Sequence, residues 1–221
     1  MEKKDLLKDV IKHIDIKSYN STELVDAMRN MSFTSRDTAR AADILMMMCK
    51  EKECTNILTL AGSTSAAGCM QVYVDMVRNK MIDVVVATGA SIIDMDLFEA
   101  LGFKHYIGEK ENVIPDTTLR DLYIDRIYDT YIDEEELQAC DHTTFEIANM
   151  LEARPYSSRE FIYEIGKWLH EGNAVKKDSL IQTCYECGVP IFVPAFSDSS
   201  AGFGIGKHQW ERMQKDEKYL S

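Results

Sequence analysis

Small side chains gather at three places in this sequence, each beside hydroxyls or a carboxylate. The first is Gly62, Ser63, Thr64, Ser65, Ala66, Ala67 and Gly68, between an apolar run and a helical pattern. Residues this small let backbone N–H groups and a helix N-terminus approach a phosphate. The spacing is not GxGxxG, and a tight strand-to-helix turn needs small residues too. The second place is Thr88, Gly89, Ala90 and Ser91, then Asp94 and Asp96. Thr88 and Ser91 can hydrogen-bond a ligand and the two aspartates can hold a cation; alternatively, one aspartate caps the helix that runs through Gly102. The third is Ser197, Asp198, Ser199, Ser200, Ala201 and Gly202, continuing to Gly204 and Gly206. It reads as a ligand loop or as a plain flexible loop. Open α/β sheets bind ligands beyond the carboxyl ends of their strands, so three such ends together point to one crevice.

The elements that must position these clusters lie around them. Residues 55–60 read as a buried strand, residues 70–78 as a helix and residues 83–88 as a second strand. This is a βαβ unit, whose right-handed crossover sets its strands parallel. The unbroken run Val84, Val85, Val86 fits a strand covered on both faces. Residues 125–132 read as strand or helix, and residues 133–151 as a helix with acids in its first turn, where the macrodipole favours them. Ser157 with Glu160 is a capping box, and a helix from about Ser179 ends at Gly188. Residues 189–196 look strand-like, although Pro190 and Pro194 each remove a ladder donor. Upstream, Ser21 opens one helix, and Thr34 with Asp37 is the predicted capping box of another. The Met46, Met47, Met48 run in that helix is expected to fill core gaps. These elements predict an α/β fold, a parallel sheet flanked by helices, in one domain over residues 1–221. Its parts are a helical segment about 1–52, the sheet portion about 53–209 and a charged, solvated tail 210–221.

Composition narrows the function. The chain has 221 residues, with 25 Lys and Arg against 37 Asp and Glu, a net charge of −12. That argues against binding a phosphate backbone, so no nucleic-acid partner is expected. No apolar run approaches the roughly 20 residues that span a bilayer. The N-terminus has no apolar signal core. A cytoplasmic protein with no membrane partner is expected. Six cysteines fit that compartment; Cys184 and Cys187 form a lone CxxC pair, read as ordinary buried thiols rather than a metal or redox site.

The sequence resembles the deoxyhypusine synthase family, in particular its prokaryotic deoxyhypusine-synthase-like branch. Matching blocks are Leu60-Ala61-Gly62-Ser63 with Ala67-Gly68, residues 79–90, and His105-Tyr106-Ile107-Gly108. Further blocks are Asp125-Arg126-Ile127-Tyr128-Asp129-Thr130, residues 154–160, Gly188-Val189-Pro190-Ile191-Phe192, and Pro194 through Asp198. The resemblance runs from about Asp15 to Gln209.

The resemblance implies a Rossmann-like NAD-binding fold in a homotetramer with active sites at dimer interfaces. It implies oxidation of spermidine by NAD and passage of the aminobutyl group, through an imine on an enzyme lysine, to an acceptor amine. In eukaryotes and archaea that acceptor is a lysine of translation factor 5A; some relatives use putrescine and make homospermidine. Gly62, Ser63, Thr64, Ser65 and Ala66 match one nucleotide-contacting loop, and Thr88, Gly89 and Ala90 a second. Asp94 falls where the family has an acidic residue near both NAD and polyamine, with Asp96 as the alternate. Asp198 matches an NAD-contacting aspartate, to a ribose. These residues suit the chemistry, because a polyamine needs carboxylates for its ammonium ends and hydride transfer needs a nicotinamide held against the carbon.

Two departures qualify the resemblance. Phe203 stands where the family pattern has a second aspartate that grips a polyamine amine. The family also continues beyond the position of Ser221 into further NAD contacts and the imine-forming lysine, so no catalytic residue is assigned in this chain. Lys207 is not in that lysine's motif. The chain is then a fragment, a truncated gene product or a chain completed by a partner, and an inactive subunit regulating a full-length paralogue is the alternative function. Alone it is expected to bind NAD weakly and not to turn over spermidine. A parallel sheet lacking its last strands is expected to expose apolar surface and an unpaired edge.

Overall fold

The computed structural model describes residues 1–109, 113–176 and 178–221. In chain order the elements are helix α1 (Lys3–Leu6), α2 (Thr22–Met28), α3 (Phe33–Lys50), strand β1 (Ile57–Leu60), α4 (Met70–Arg78), β2 (Val84–Ala87), α5 (Phe98–Ala100) and β3 (Tyr106–Ile107). There follow α6 (Asp116–Asp121), β4 (Ile124–Ile127), β5 (Thr130–Asp133), α7 (Glu134–Met150), α8 (Ser158–Trp168), α9 (Leu180–Cys187), β6 (Ile191–Phe192) and α10 (Ser200–Gln214). The fold is α/β, with a parallel sheet and flanking helices, as the sequence predicts.

The sheet has the order β1-β2-β6, all parallel. Strand β2 lies in the middle, with Thr59 opposite Val86 and Val86 opposite Phe192. Side chains alternate across a strand, so Leu58, Leu60, Val85, Ala87 and Ile191 share one face. That face joins the main core with Val74 and Val77 of α4, Phe161 and Ile165 of α8 and Ile181 of α9. Val85 is fully buried and Ile191 is 4% exposed. On the other face Ile57 is 54% and Phe192 40% exposed. The valine run is therefore covered on one face, not on two as predicted. The strand-like stretch 189–196 shortens to Ile191–Phe192, as its two prolines require.

A second, antiparallel sheet has the order β3-β5-β4. Residues 125–132, open between strand and helix in the sequence, turn out to be a hairpin; Tyr128 takes a left-handed φ of 54° at its tip. Asp133 caps α7, accepting from the N–H of Glu135 and Glu136. The capping box at α8 forms as predicted: Ser157 Oγ accepts from Glu160 N, and Ser157 N donates to Glu160 Oε2 at 2.9 Å. Helix α9 starts at the Ser179 cap and ends at Gly188 in the left-handed conformation.

Two further expectations fail, and a third holds only in part. Helix α3 begins at Phe33 with Ser32 as its N-cap and no side-chain capping bond, so Thr34 lies inside the helix. Only Ala39 of α3 is buried, and Met46 and Met47 stand 55% and 68% exposed. The α2–α3 hairpin packs chiefly on itself, which leaves those methionines no core to fill. The predicted solvated tail is exposed over most of residues 210–219, and only its end docks. Leu220 is buried, its N–H donates to His208 Nε2 at 3.0 Å, and Ser221 O accepts from Tyr156 N. The N-terminal segment of residues 9–14 is also tied down. Ile11 N donates to His105 O, Ile107 N to Asp9 O, and Ile14 N to Gly68 O. Among the described residues no helix is long and apolar enough to cross a membrane.

Candidate nucleotide-binding crevice

The turn after β1 leaves the strand through Gly62, whose φ of +71° favours glycine and whose missing Cβ would meet nothing within 4 Å. A wide turn over Ser65–Cys69 then leads into α4. Its geometry comes from local bonds: Ala67 N donates to Ser63 O and Cys69 N to Thr64 O. Thr64 Oγ1 accepts from the Tyr73 hydroxyl at 2.8 Å. Gly68 closes the turn with φ +93°, and a Cβ there would sit 2.9 Å from the Lys12 carbonyl. Ala66 is buried, and so is Ser65, whose Oγ has no hydrogen-bond partner. Buried hydroxyls are normally satisfied, and α4 has no side-chain N-cap. Ser65 Oγ is thus an orphaned hydroxyl buried between an open glycine and an uncapped helix.

The turn after β2 is tied to the first. Ser91 Oγ donates to Gly62 O at 3.0 Å and lies 3.0 Å from Thr88 Oγ1, which also accepts from Ser91 N. Ser91 was a ligand candidate in the sequence; at 3% exposure it is instead the rivet between two strand ends. Thr88 stays exposed beside it.

The third strand end reaches the second. A Cβ on Gly89 would lie 2.6 Å from Ser199 Oγ, so only glycine lets β2 and the segment after β6 approach this closely. Ser199 Oγ donates to Phe196 O at 2.9 Å, and exposed Asp198 precedes it in a turn closed by Asp198 N on Ala195 O. The predicted loop 197–206 is mostly helix α10. Its Gly204 lies where a Cβ would strike Thr144 Oγ1 and Asp141 O on α7, so this glycine serves close helix packing rather than flexibility. The three strand ends thus adjoin: Gly62 meets Thr88 through Ser91, and Gly89 meets Ser199 next to Asp198.

The two aspartates after β2 separate. Asp94 is half-buried in the wide turn Ala90–Leu97. Asp96 is 1% exposed and faces α9, its oxygens accepting from Leu180 N at 2.8 Å and Ile181 N at 2.7 Å. It does cap a helix, but one that starts far along the chain. With both oxygens taken and no exposure, Asp96 is corrected from alternate substrate contact to helix anchor. Burial pushes its carboxyl up from 3.8 to about 6, and the two backbone N–H bonds limit the rise.

Sequence reasoning missed two carboxylate clusters. Glu99 accepts from His105 Nδ1 at 2.9 Å and His13 Nε2 at 2.6 Å, and also pairs with Lys176. Burial raises its carboxyl, but the bonds from His105 and His13 and the Lys176 charge outweigh that and hold it far below the usual range. No local spacing links residues 13, 99, 105 and 176. Asp125 on β4 is raised to about 7 by its hydrogen bond with Glu134 and then by burial. Cys184 is buried and Cys187 exposed, and both are free thiols. No group of His, Cys, Asp and Glu that could hold a metal is found among the described residues.

Comparison with known proteins identifies the family. A family model described as deoxyhypusine synthase matches residues 23–220. A deoxyhypusine synthase-like protein of Caulobacter vibrioides is 66% identical over 219 residues, 99% of this chain and 59% of the relative. Another, from Coxiella burnetii, is 60% identical over 207 residues, 94% of this chain and 58% of the relative. The chain thus spans under two thirds of the length of these relatives. A crystal structure of a candidate deoxyhypusine synthase from Entamoeba histolytica superposes with a TM-score of 0.63 at 18% identity, covering 96% of this chain and 70% of that one. At that identity the likeness speaks for the fold alone.

Proposed function

We propose, from the premise that the chain belongs to the deoxyhypusine synthase family, that it supplies the dinucleotide half of an NAD-dependent aminobutyl transferase. In this reading the donor is spermidine or putrescine and the acceptor a protein lysine, as in translation factor 5A, or another polyamine. The observation that carries the reading is the meeting of three strand ends through Ser91 and the Gly89–Ser199 contact, with the orphaned Ser65 hydroxyl inside the first turn. NAD would supply hydride acceptance when bound. Gly62, Ser63, Thr64, Ser65 and Ala66 would bring backbone N–H groups to its phosphates, Thr88, Gly89 and Ala90 would wall the crevice, and Asp198 would accept from a ribose hydroxyl. Asp94 is proposed as the carboxylate that orients an ammonium group of the polyamine. Asp96 has no such role, because both its oxygens are engaged.

Assembly into a homotetramer, or with a full-length paralogue, belongs to the same proposal. Lys207 lies 4.6 Å over the Phe145 ring, a cation–π seat, and is given no imine-forming role in this proposal. NAD titration by calorimetry tests the reading. Weak binding is expected, reduced at least about tenfold, or 1.4 kcal/mol, in Gly89→Val, whose side chain would displace Ser199. No NADH should form with spermidine and this chain alone. Binding that Gly89→Val leaves untouched would remove the proposed crevice.

A further inference from the structure

Residues 9–17 run from the antiparallel sheet to helix α4 and meet the first crevice turn on the way. Val10 bridges Tyr106 of β3, flanked by the bonds Ile11 N to His105 O and Ile107 N to Asp9 O. His13 Nε2 then donates to Glu99 Oε2 at 2.6 Å. Its Nδ1 is buried with no partner, so the ring is held through Nε2. Ile14 N donates to Gly68 O at 3.0 Å, and Lys17 Nζ to Asp75 Oδ1 on α4 at 2.6 Å. Asp75 is 4% exposed, so this end of the segment is seated as well. The whole segment precedes residues 23–220, the part that matches the family model.

The turn that Ile14 reaches has little to hold it from within. It carries two glycines at positive φ, Gly62 and Gly68, and leads into a helix with no side-chain cap. A segment with so few bonds of its own opens locally at low cost unless neighbours fasten it. Two backbone carbonyls of the turn are fastened from outside: Gly62 O by Ser91, and Gly68 O by Ile14. Glu99, the seat of His13, lies in α5, directly after the wide turn Ala90–Leu97 that follows β2. His105 and Lys176 hold the same carboxylate. His13 therefore links the first crevice turn, through Ile14 and Gly68, to the second, through Glu99. We propose that His13 is a positioning residue of the crevice: clasped on Glu99, it holds residues 62–69 against the turn after β2. Dinucleotide affinity then depends on a residue outside the proposed ligand contacts, a consequence that rests on the NAD reading above.

Amide hydrogen exchange on the full 221-residue chain, read by mass spectrometry, tests the clasp without any ligand. In His13→Ala the carboxylate of Glu99 keeps His105 and Lys176, so no buried charge is left unpaired and the fold is retained. The variant should speed exchange in residues 62–69 at least about tenfold and leave α8 at the wild-type rate. His13→Gln, whose Nε2–H can replace the ring's donor, should restore slow exchange. By calorimetry His13→Ala should bind NAD at least about fivefold more weakly than wild type, and His13→Gln within about twofold of it. Three results overturn the proposal: unchanged exchange at 62–69 in His13→Ala, acceleration that is equal in α8, or no rescue by glutamine. Circular dichroism checks folding. If His13→Ala is unfolded, Lys17→Met frees the exposed end of the segment instead, and exchange at 62–69 that stays at the wild-type rate overturns the proposal. A wild-type chain that binds no NAD, with exchange at 62–69 still governed by His13, supports the clasp and sinks the proposed function.

Discussion

The two faces of the β1-β2-β6 sheet use the same strands and nearly the same residue types, yet one is packed and the other is bare. Val85 and Ile191 point into the core while their neighbours Val86 and Phe192 point out. Residue type therefore does not decide burial here; the layer laid over each face does. The packed side is held by helices α4, α8 and α9, and α9 is fastened by a carboxylate from the turn after β2.

The sharpest way to break this comparison is to truncate neighbouring residues of one strand. Ile191→Ala should cost about 2–5 kcal/mol, as buried large-to-small changes do. Phe192→Ala should cost no more than about 1 kcal/mol. Urea unfolding midpoints that fall equally would show that the outer face is packed after all. Next in size is Asp96→Ala, which leaves two buried backbone N–H groups without acceptors and should cost about 2–4 kcal/mol at neutral pH.

Acid titration distinguishes the two carboxylates near α5. Asp96 holds its proton to higher pH folded than unfolded. Its contribution is complete below its unfolded value of 3.8 and declines as pH rises through about 6, by on the order of 3 kcal/mol. Glu99 has the opposite sign: held below its ordinary 4.5, it contributes above that value and the contribution is lost as pH falls. Asp96→Asn should flatten the decline toward neutral pH, and Glu99→Gln should flatten the loss in acid, both read as stability against pH. The smallest effect is expected on the α2–α3 hairpin, where Met47→Ser should change stability by less than about 0.5 kcal/mol. A larger loss would mean that α3 is packed in solution.

What the sequence shows and what it hides follow from range. The Ser157 capping box and the Ser179–Gly188 helix rest on contacts within a few residues, the βαβ unit on pairing between strands 27 positions apart that one short crossover joins, and all are present. Burial of Met46 and Met47 would have needed a distant partner surface, whose absence periodicity does not reveal. Gly202, Gly204 and Gly206 suggested a loop because glycine frees a backbone, but Gly204 is needed where α10 presses on α7. The three crevice ends were each legible by their small residues. The Ser91 rivet was not, since a serine that binds a ligand and one that bridges two turns look alike in one dimension. Asp96 was recognisable as a cap but not as the cap of α9, whose start lies far downstream.

The N-terminal segment of residues 9–14 bears on the order in which the molecule can form. Residues 9–14 find their hydrogen bonds on Gly68, His105 and Ile107, and His13 finds its carboxylate on Glu99. During translation residues 9–14 leave the ribosome well before that seat and must therefore wait for it, on the order of ten seconds at ordinary elongation speeds.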